Sequence, residues 1–372
     1  MKTIKSQVCI CGAGISGVFT AYLLGKKGYD VVLIEKMERF NPNGADIIKP
    51  PVINIFKELD LYDEIINLGG IERKMVDMFH EGDLLNRFTY EGDDVFLLFP
   101  CEKLTKLIAE KLKSLPNVQL FFGEHIEKVE MDHDGTRVST GNVTFVAEIC
   151  VACDGDNSIL RQEAGLKLQN IEIDQMILFG ELNSTAGVEE VSKVYVNCNG
   201  GFTYLYPIGG NKSRIVIGFN GEEYRSSIKD ADNSVIVEKI RKYLSNEVNE
   251  LVGTIDSSTQ FVPVQPKLFK CEHYYFRRII FVGNTVHCVH PLSGNGMNLS
   301  VEDAYFAVAQ IDLFYTQGMK FEACMSDYEN QRKKIANNFV DYSYRLFEST
   351  FSREQFIQVL NINKYKTTYE ET

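Results

Sequence analysis

The sequence predicts an α/β fold: a Rossmann-like dinucleotide-binding domain of the GxGxxG type, with an inserted, mostly antiparallel β-sheet domain and C-terminal helices. Three observations predict it. The apolar run Val8-Cys9-Ile10-Cys11 enters a glycine loop and then a helical pattern. Between about 166 and 274 the pattern changes to short alternating runs separated by Gly, Asn and Pro. The apolar run Ile279-Ile280-Phe281-Val282 then leads into a second glycine-rich loop, as if the first domain resumes.

Taken in order, Val8–Cys11 and Val31-Val32-Leu33-Ile34 are apolar enough to be strands buried on both faces, and Phe19, Leu23 and Leu24 mark the helix between them. Leu104, Leu107, Ile108 and Leu112 recur at helical spacing before the strand-like Val118-Gln119-Leu120-Phe121-Phe122, a further αβ unit. Gly201-Phe202-Thr203-Tyr204-Leu205-Tyr206 and Arg214-Ile215-Val216-Ile217-Gly218-Phe219 read as period-two strands. From about 320 the chain is helical, with Tyr342, Tyr344, Leu346 and Phe347 available to pack. The expected division is 1–73, 96–165 and 275–320 for the nucleotide domain, 74–95 and 166–274 for the sheet domain, and 321–372 for the helical segment.

Composition narrows the function classes. At 372 residues the chain can bury a large core, and its net charge of −12 argues against a phosphate backbone as partner. No apolar stretch approaches the ~20 residues that span a bilayer, and the N-terminus enters a strand with no cleavage site, so the cytoplasm is expected. The nine cysteines are an odd number without secretory features, so a disulfide framework is not expected. Cys150 and Cys153 form a CxxC inside an apolar run, as Cys9 and Cys11 lie in another, and all four read as small buried side chains. The six histidines, His80, His125, His133, His273, His287 and His290, form no HxxxH or HExxH pattern, and no metal site is expected.

The chemistry-bearing signal is a set of three segments. Gly12-Ala13-Gly14-Ile15-Ser16-Gly17 follows a strand and opens a helix, and Glu35, followed by Lys36, ends the next strand. Glycines allow a tight turn and close approach of backbone to a pyrophosphate, the helix N-terminus favours its charge, and an acid can accept from ribose hydroxyls. This motif alone does not separate FAD from NAD. The second segment, Val151-Ala152-Cys153-Asp154-Gly155-Asp156-Asn157-Ser158-Ile159-Leu160-Arg161, ends a strand in Asp-Gly and a polar turn. The third runs from Phe281-Val282-Gly283-Asn284 through His287, His290-Pro291 and Gly294-Asn295-Gly296-Met297-Asn298 into a helix whose free N–H groups can receive negative charge. A second glycine loop suggests a ligand longer than one nucleotide.

In the order and spacing of these segments, over nearly its whole length, the chain resembles the para-hydroxybenzoate-hydroxylase-like FAD monooxygenases, the single-component aromatic hydroxylases. The resemblance implies FAD as cofactor, with Gly12, Gly14, Ile15, Ser16, Gly17, Glu35 and Lys36 at the ADP half. It implies Asp154 near the pyrophosphate, and Gly283, Asn284, Pro291, Gly294, Asn295, Gly296, Met297 and Asn298 at the flavin half. Two positions depart from the family pattern. Asn284 stands where an Asp is usual, so its amide oxygen accepts a hydroxyl without charge assistance. Cys101 stands where an Arg is frequent, removing one cationic contact, with Lys103 and Arg39 as candidate replacements. Weaker hold on FAD is the expectation.

The implied activity is hydroxylation or epoxidation of a small, aromatic or polyketide-like substrate. NAD(P)H, a transient co-substrate, reduces the flavin, O2 adds at its C4a position and the hydroperoxide delivers OH. No catalytic side chain is assigned. Tyr204 and Tyr206 share one face of a strand and are candidates for the substrate pocket, His287 is read as making a structural hydrogen bond, and His290 is a candidate nearer the flavin. A halogenase is set aside because its Trp-rich motif cannot exist in a chain without tryptophan. A reductase of the isoprenoid-lipid type and a non-catalytic flavin-binding protein stay as alternatives.

Overall fold

The computed structural model describes residues 2–40, 46–132 and 135–361. His133 and residues 362–372 of the expected helical segment lie outside them. The first strand, Lys2–Cys11, pairs in parallel with Val31–Glu35 on one side and Val143–Ala152 on the other. Val118–Phe122 extends the sheet beyond the former, and Ile279–Phe281 extends it beyond the latter, both in parallel. The strand after the alternating region thus returns to the sheet that begins at the N-terminus. Val8, Ile10, Ile149, Val151 and Ile280 are fully buried, as expected of strands covered on both faces.

A second sheet of seven strands has the order Phe261–Val264, Gln175–Leu182, Lys212–Asn220, Phe202–Gly209, Ser192–Val196, Met75–His80, Asp83–Thr89. All neighbours are antiparallel except Ser192–Val196 with Met75–His80. One face, carrying Val194, Val196, Phe202 and Tyr206, packs on Ile47, Leu98, Val289 and Leu299 and on Phe339, Val340 and Leu346 of the helix Phe321–Ser349. The other face is covered by Ile236, Ile240, Leu251 and Val252.

Between the two sheets lies a short three-stranded sheet, with Ile47–Ile48 and Ile71–Arg73 flanking Phe96–Leu98. Tyr342, Leu346 and Phe347 are buried as expected. Tyr344 points the other way and donates its hydroxyl to Glu348 at 2.6 Å, because it lies off the apolar face of the helix. Among the described residues no helix is long and apolar enough to cross a membrane.

Candidate functional site

The three glycine-bearing segments meet at the ends of the parallel strands. Strands Lys2–Cys11 and Val143–Ala152 are neighbours in register, Cys11 opposite Ala152, so the loops that follow them are adjacent. Contact is close: Gly12 has φ +104°, and a Cβ there would sit 2.3 Å from the Cys153 carbonyl oxygen. A Cβ on Gly17 would lie 1.8 Å from the Gly12 carbonyl oxygen, so the turn into the helix Ile15–Lys26 also requires glycine. The third segment joins through Gly283 (φ +68°), where a Cβ would meet Ser300 Oγ at 2.8 Å and Ser16 Oγ at 3.3 Å. Arg161, 4% exposed, ties the second segment to the third, donating to the Asp156 carbonyl and the Thr285 carbonyl, each at 2.7 Å.

Within this cluster some groups are satisfied and others are open. Glu35 accepts from the Ala13 N–H at 2.6 Å and the Met37 N–H at 3.0 Å, so it braces the first loop; Lys36 is exposed. Gly14 is exposed with nothing within 4 Å of where a Cβ would project, and the helix that it precedes has no side-chain cap. Asp154 Oδ2 accepts from the Ile159 N–H at 2.8 Å. Its Oδ1 is buried with no partner among the described residues, and burial raises the carboxyl above its ordinary range. Asn284 is exposed, and the helix Gly296–Gln317 starts without a side-chain cap.

Two expected contact residues face inward. Met297 is part of the core. Asn298 is 3% exposed and fully engaged: its amide donates to the Ile47 and Gly294 carbonyls and its Oδ1 accepts from the Lys49 N–H at 2.8 Å. It staples the Ile47–Ile48 strand to the loop Pro291, Gly294 and Asn295, where Lys49 Nζ also donates to the Ser293 carbonyl at 3.2 Å. Cys101 begins the helix Cys101–Lys113 with a buried thiol, pushed up to about 12 by burial and by Asp46.

A cation paired with an acid lies near enough to Cys101 to act on it electrostatically. Arg214 donates from Nε to Asp46 Oδ2 at 2.7 Å, and the Tyr206 hydroxyl donates to the same oxygen at 3.1 Å. Burial works against the Arg214 charge, but Asp46 outweighs it and raises the pKa overall. Asp46 and Arg214 were missed by sequence reasoning. The turn at Gly209-Gly210 between two alternating runs was the available signal, since it sets Tyr206 opposite Arg214 in register. Tyr204 lies beside Tyr206, ring centroids 4.6 Å apart.

His287 Nε2 donates at 2.6 Å to Asp303, which also accepts from the Gly283 N–H at 3.2 Å and Arg332 Nε at 2.7 Å. This buried set holds the start of the third segment in place. His290 is neutral, its pKa lowered to about 3 by burial. Its Nδ1 accepts from the Leu292 N–H at 3.2 Å, which leaves Nε2 to donate to Gln175 at 2.7 Å, so its role is to brace the loop. Cys9, Cys11 and Cys150 bring their sulfurs within 4.8 Å of one another. Thiol–thiol contacts and burial raise all three well above the ordinary thiol range, which keeps them protonated.

The family model described as FAD binding domain matches residues 5–343. The chain belongs to this FAD-binding family. Its relatives include the protoasukamycin 4-monooxygenase of Streptomyces nodosus subsp. asukaensis, 24% identical over 93% of this chain and 88% of that protein. The kynurenine 3-monooxygenase of Dictyostelium discoideum is 23% identical over 81% and 68% respectively. Among solved structures, PqsL of Pseudomonas aeruginosa, a probable FAD-dependent monooxygenase, superposes with a TM-score of 0.90 at 29% identity, covering 96% of this chain and all of that one. FAD is accordingly the cofactor, and the chain is an oxidoreductase of the monooxygenase kind.

The residues fit this cofactor. Space is open beside Gly14 for a pyrophosphate, and two helix N-termini without side-chain caps can receive negative charge. The buried, unpartnered Asp154 oxygen is an acceptor waiting for a hydroxyl.

Proposed function

We propose that this flavoprotein uses NAD(P)H and O2 to hydroxylate or epoxidise a small aromatic or polyketide-like molecule, held between the Gly294 loop and the inner face of the second sheet. The observation that carries the reading is the meeting of three glycine-bearing segments around the buried, unpartnered Asp154 oxygen. Its relatives, named as acting on protoasukamycin and kynurenine, suggest the substrate range. Bound FAD supplies electron storage and oxygen activation.

The chain supplies binding, orientation and shielding. In this reading Gly12, Gly14, Ile15, Ser16 and Gly17 present backbone N–H groups to the pyrophosphate, and Glu35, with Lys36 beside it, takes a ribose hydroxyl on its remaining lone pairs. Asp154 and Asn284 would accept further hydroxyls of the cofactor. The loop Pro291, Gly294 and Asn295 and the N–H groups at Gly296, Met297 and Asn298 would hold the flavin half, where a helix N-terminus favours negative charge. Cys101 serves through its backbone N–H, which lies 3.4 Å from Asp46 Oδ1. Tyr204 and Tyr206 form the substrate wall and keep water out.

The division of the chain at 73, 95, 165, 274 and 320 belongs to the same proposal, supported by which strands join which sheet. Nine free cysteines accord with the cytoplasm. The test is a titration of purified protein with FAD followed by flavin fluorescence, then NAD(P)H oxidation and O2 uptake across phenolic, quinolone, indolic and polyene compounds. Substrate-stimulated O2 uptake with an oxygenated product is expected. Protein that binds no FAD, or whose NAD(P)H oxidation no compound stimulates, would overturn the reading.

A further inference from the structure

Three thiols meet in the core beside the first cofactor loop. Cys9 and Cys11 lie two residues apart on the strand Lys2–Cys11, so both side chains leave the same face of the sheet. Cys150 pairs with Cys9 in the parallel ladder to Val143–Ala152 and shares that face. The Cys11 and Cys150 sulfurs are 3.8 Å apart, and all three sulfurs lie within 4.8 Å of one another. Sulfurs that share one atom at a bond length of about 2.3 Å stand about 3.8 Å apart in tetrahedral geometry, so the triangle needs little adjustment to close on a single centre. All three are free thiols, and none is more than 1% exposed.

Charge and coordination number decide which centre fits. A zinc ion on three thiolates leaves one net negative charge and a cuprous ion leaves two, and burying such a charge unpaired is costly. Zinc also takes a fourth ligand, and among the described residues no further His, Cys, Asp or Glu joins the cluster. Trivalent arsenic meets neither objection. Its complex with three thiolates is neutral, its lone pair fills the remaining position, and the pyramid it forms matches three sulfurs presented from one face. Arsenite, as As(OH)3, is uncharged at neutral pH. The protonated thiols that mutual contact and burial enforce here are the form that condenses with it.

We propose that Cys9, Cys11 and Cys150 form a trithiol site for trivalent arsenic, taken up from arsenite. Three S–H and three As–O bonds break and three As–S bonds form. Each hydroxyl leaves as water with one thiol proton, and arsenic keeps its oxidation state. Cys11 is joined to Gly12, which packs on the Cys153 carbonyl, and Cys150 lies on the strand that leads to Asp154. Drawing the sulfurs together shifts the ends of the two strands that carry the first and second segments, and so weakens the hold on FAD. This coupling rests on the cofactor contacts given under Proposed function; the binding of arsenic does not.

The full chain is loaded with sodium arsenite in two ways, by incubating the folded apoprotein and by refolding from urea, because a buried site fills only through opening. After gel filtration, native mass spectrometry is expected to show one arsenic per refolded chain with the loss of three hydrogens. X-ray absorption is expected to show three sulfurs and no oxygen around it. Cys11→Ala and Cys150→Ala should lose the retained arsenic, whereas Cys198→Ser, at the exposed cysteine, should keep it. Refolded wild type that retains no arsenic, or holds it with two sulfurs and one oxygen, overturns the site, as does a Cys150→Ala protein that retains it in full. If an alanine variant does not fold, the wild-type absorption spectrum decides. Zinc retained as tightly as arsenic overturns the selection by charge. Fluorescence titration of loaded and unloaded protein with FAD tests the coupling: lower affinity on loading supports it, and equal affinity overturns it. A chain that retains arsenic but never binds FAD counts against the cofactor reading only.

Discussion

Arg161 spans the second and third cofactor segments, holding the Asp156 carbonyl with Nη2 and the Thr285 carbonyl with Nη1. A planar fork can serve two carbonyls at fixed separation, whereas a single ammonium cannot. Arg161→Met is expected to lower unfolding free energy by about 3 kcal/mol, since two carbonyls lose their donor, and to weaken FAD binding. Arg161→Lys should recover little of either. Equal urea midpoints for wild type and Arg161→Met would show that the bridge is dispensable.

Asp154 gives a prediction of opposite sign for stability and binding. Its folded pKa is raised by desolvation, so the folded chain holds a proton more tightly than the unfolded one. The charged form then costs stability as pH rises above the unfolded value of 3.8 and through the folded pKa. Asp154→Asn removes that cost and keeps an amide oxygen for the Ile159 N–H. The apoprotein should melt at the same temperature or higher, while FAD binds roughly tenfold more weakly. Calorimetry and fluorescence titration on the same samples test both halves.

The two glycines of the first loop separate folding from binding. Gly12→Ala forces a side chain into left-handed backbone and onto the Cys153 carbonyl, and should cost more than ~2 kcal/mol or prevent folding. Gly14 has φ −68°, which alanine adopts freely, and open space around it. Gly14→Ala should unfold within about 0.5 kcal/mol of wild type, yet lose FAD affinity because its methyl occupies the cofactor's approach. A Gly14→Ala protein with undiminished FAD affinity would place the pyrophosphate elsewhere.

His290 sets an acid limit on stability. Its folded pKa is lowered to about 3 from an ordinary 6.5. Between those values the unfolded chain binds a proton that the folded chain refuses, so stability is lost as pH falls from about 6.5 toward about 3, by up to ~1.4 kcal/mol per pH unit. His290→Gln, which has an acceptor for the Leu292 N–H and a donor for Gln175, should flatten that slope. Unfolding midpoints of both proteins at pH 7 and pH 5 provide the check; parallel pH profiles would exclude His290 as the source.

The glycine loops, buried strands and alternating runs were legible because their signals are local. Positive φ at Gly12 and Gly283, apolarity on both faces of Val8–Cys11, and period two in 202–219 are each written in a few consecutive residues. The assignment of side-chain contacts fared differently. Asn298 belongs to the expected motif by position, but its amide is consumed by Ile47, Lys49 and Gly294. Tyr206 was legible as a candidate wall residue, while its bond to Asp46, 160 positions away, was not.

By itself the amino-acid order determined the α/β scaffold and the three segments from which a dinucleotide site is built, since turn conformation and strand burial depend on neighbours in the chain. Only the tertiary structure decided that Arg161 joins two of those segments, that Arg214 and Asp46 meet near Cys101, and that Cys9 and Cys11 meet Cys150. Such pairings depend on which strands lie side by side, and hydrogen bonds and ion pairs between distant residues leave no periodic trace in the sequence.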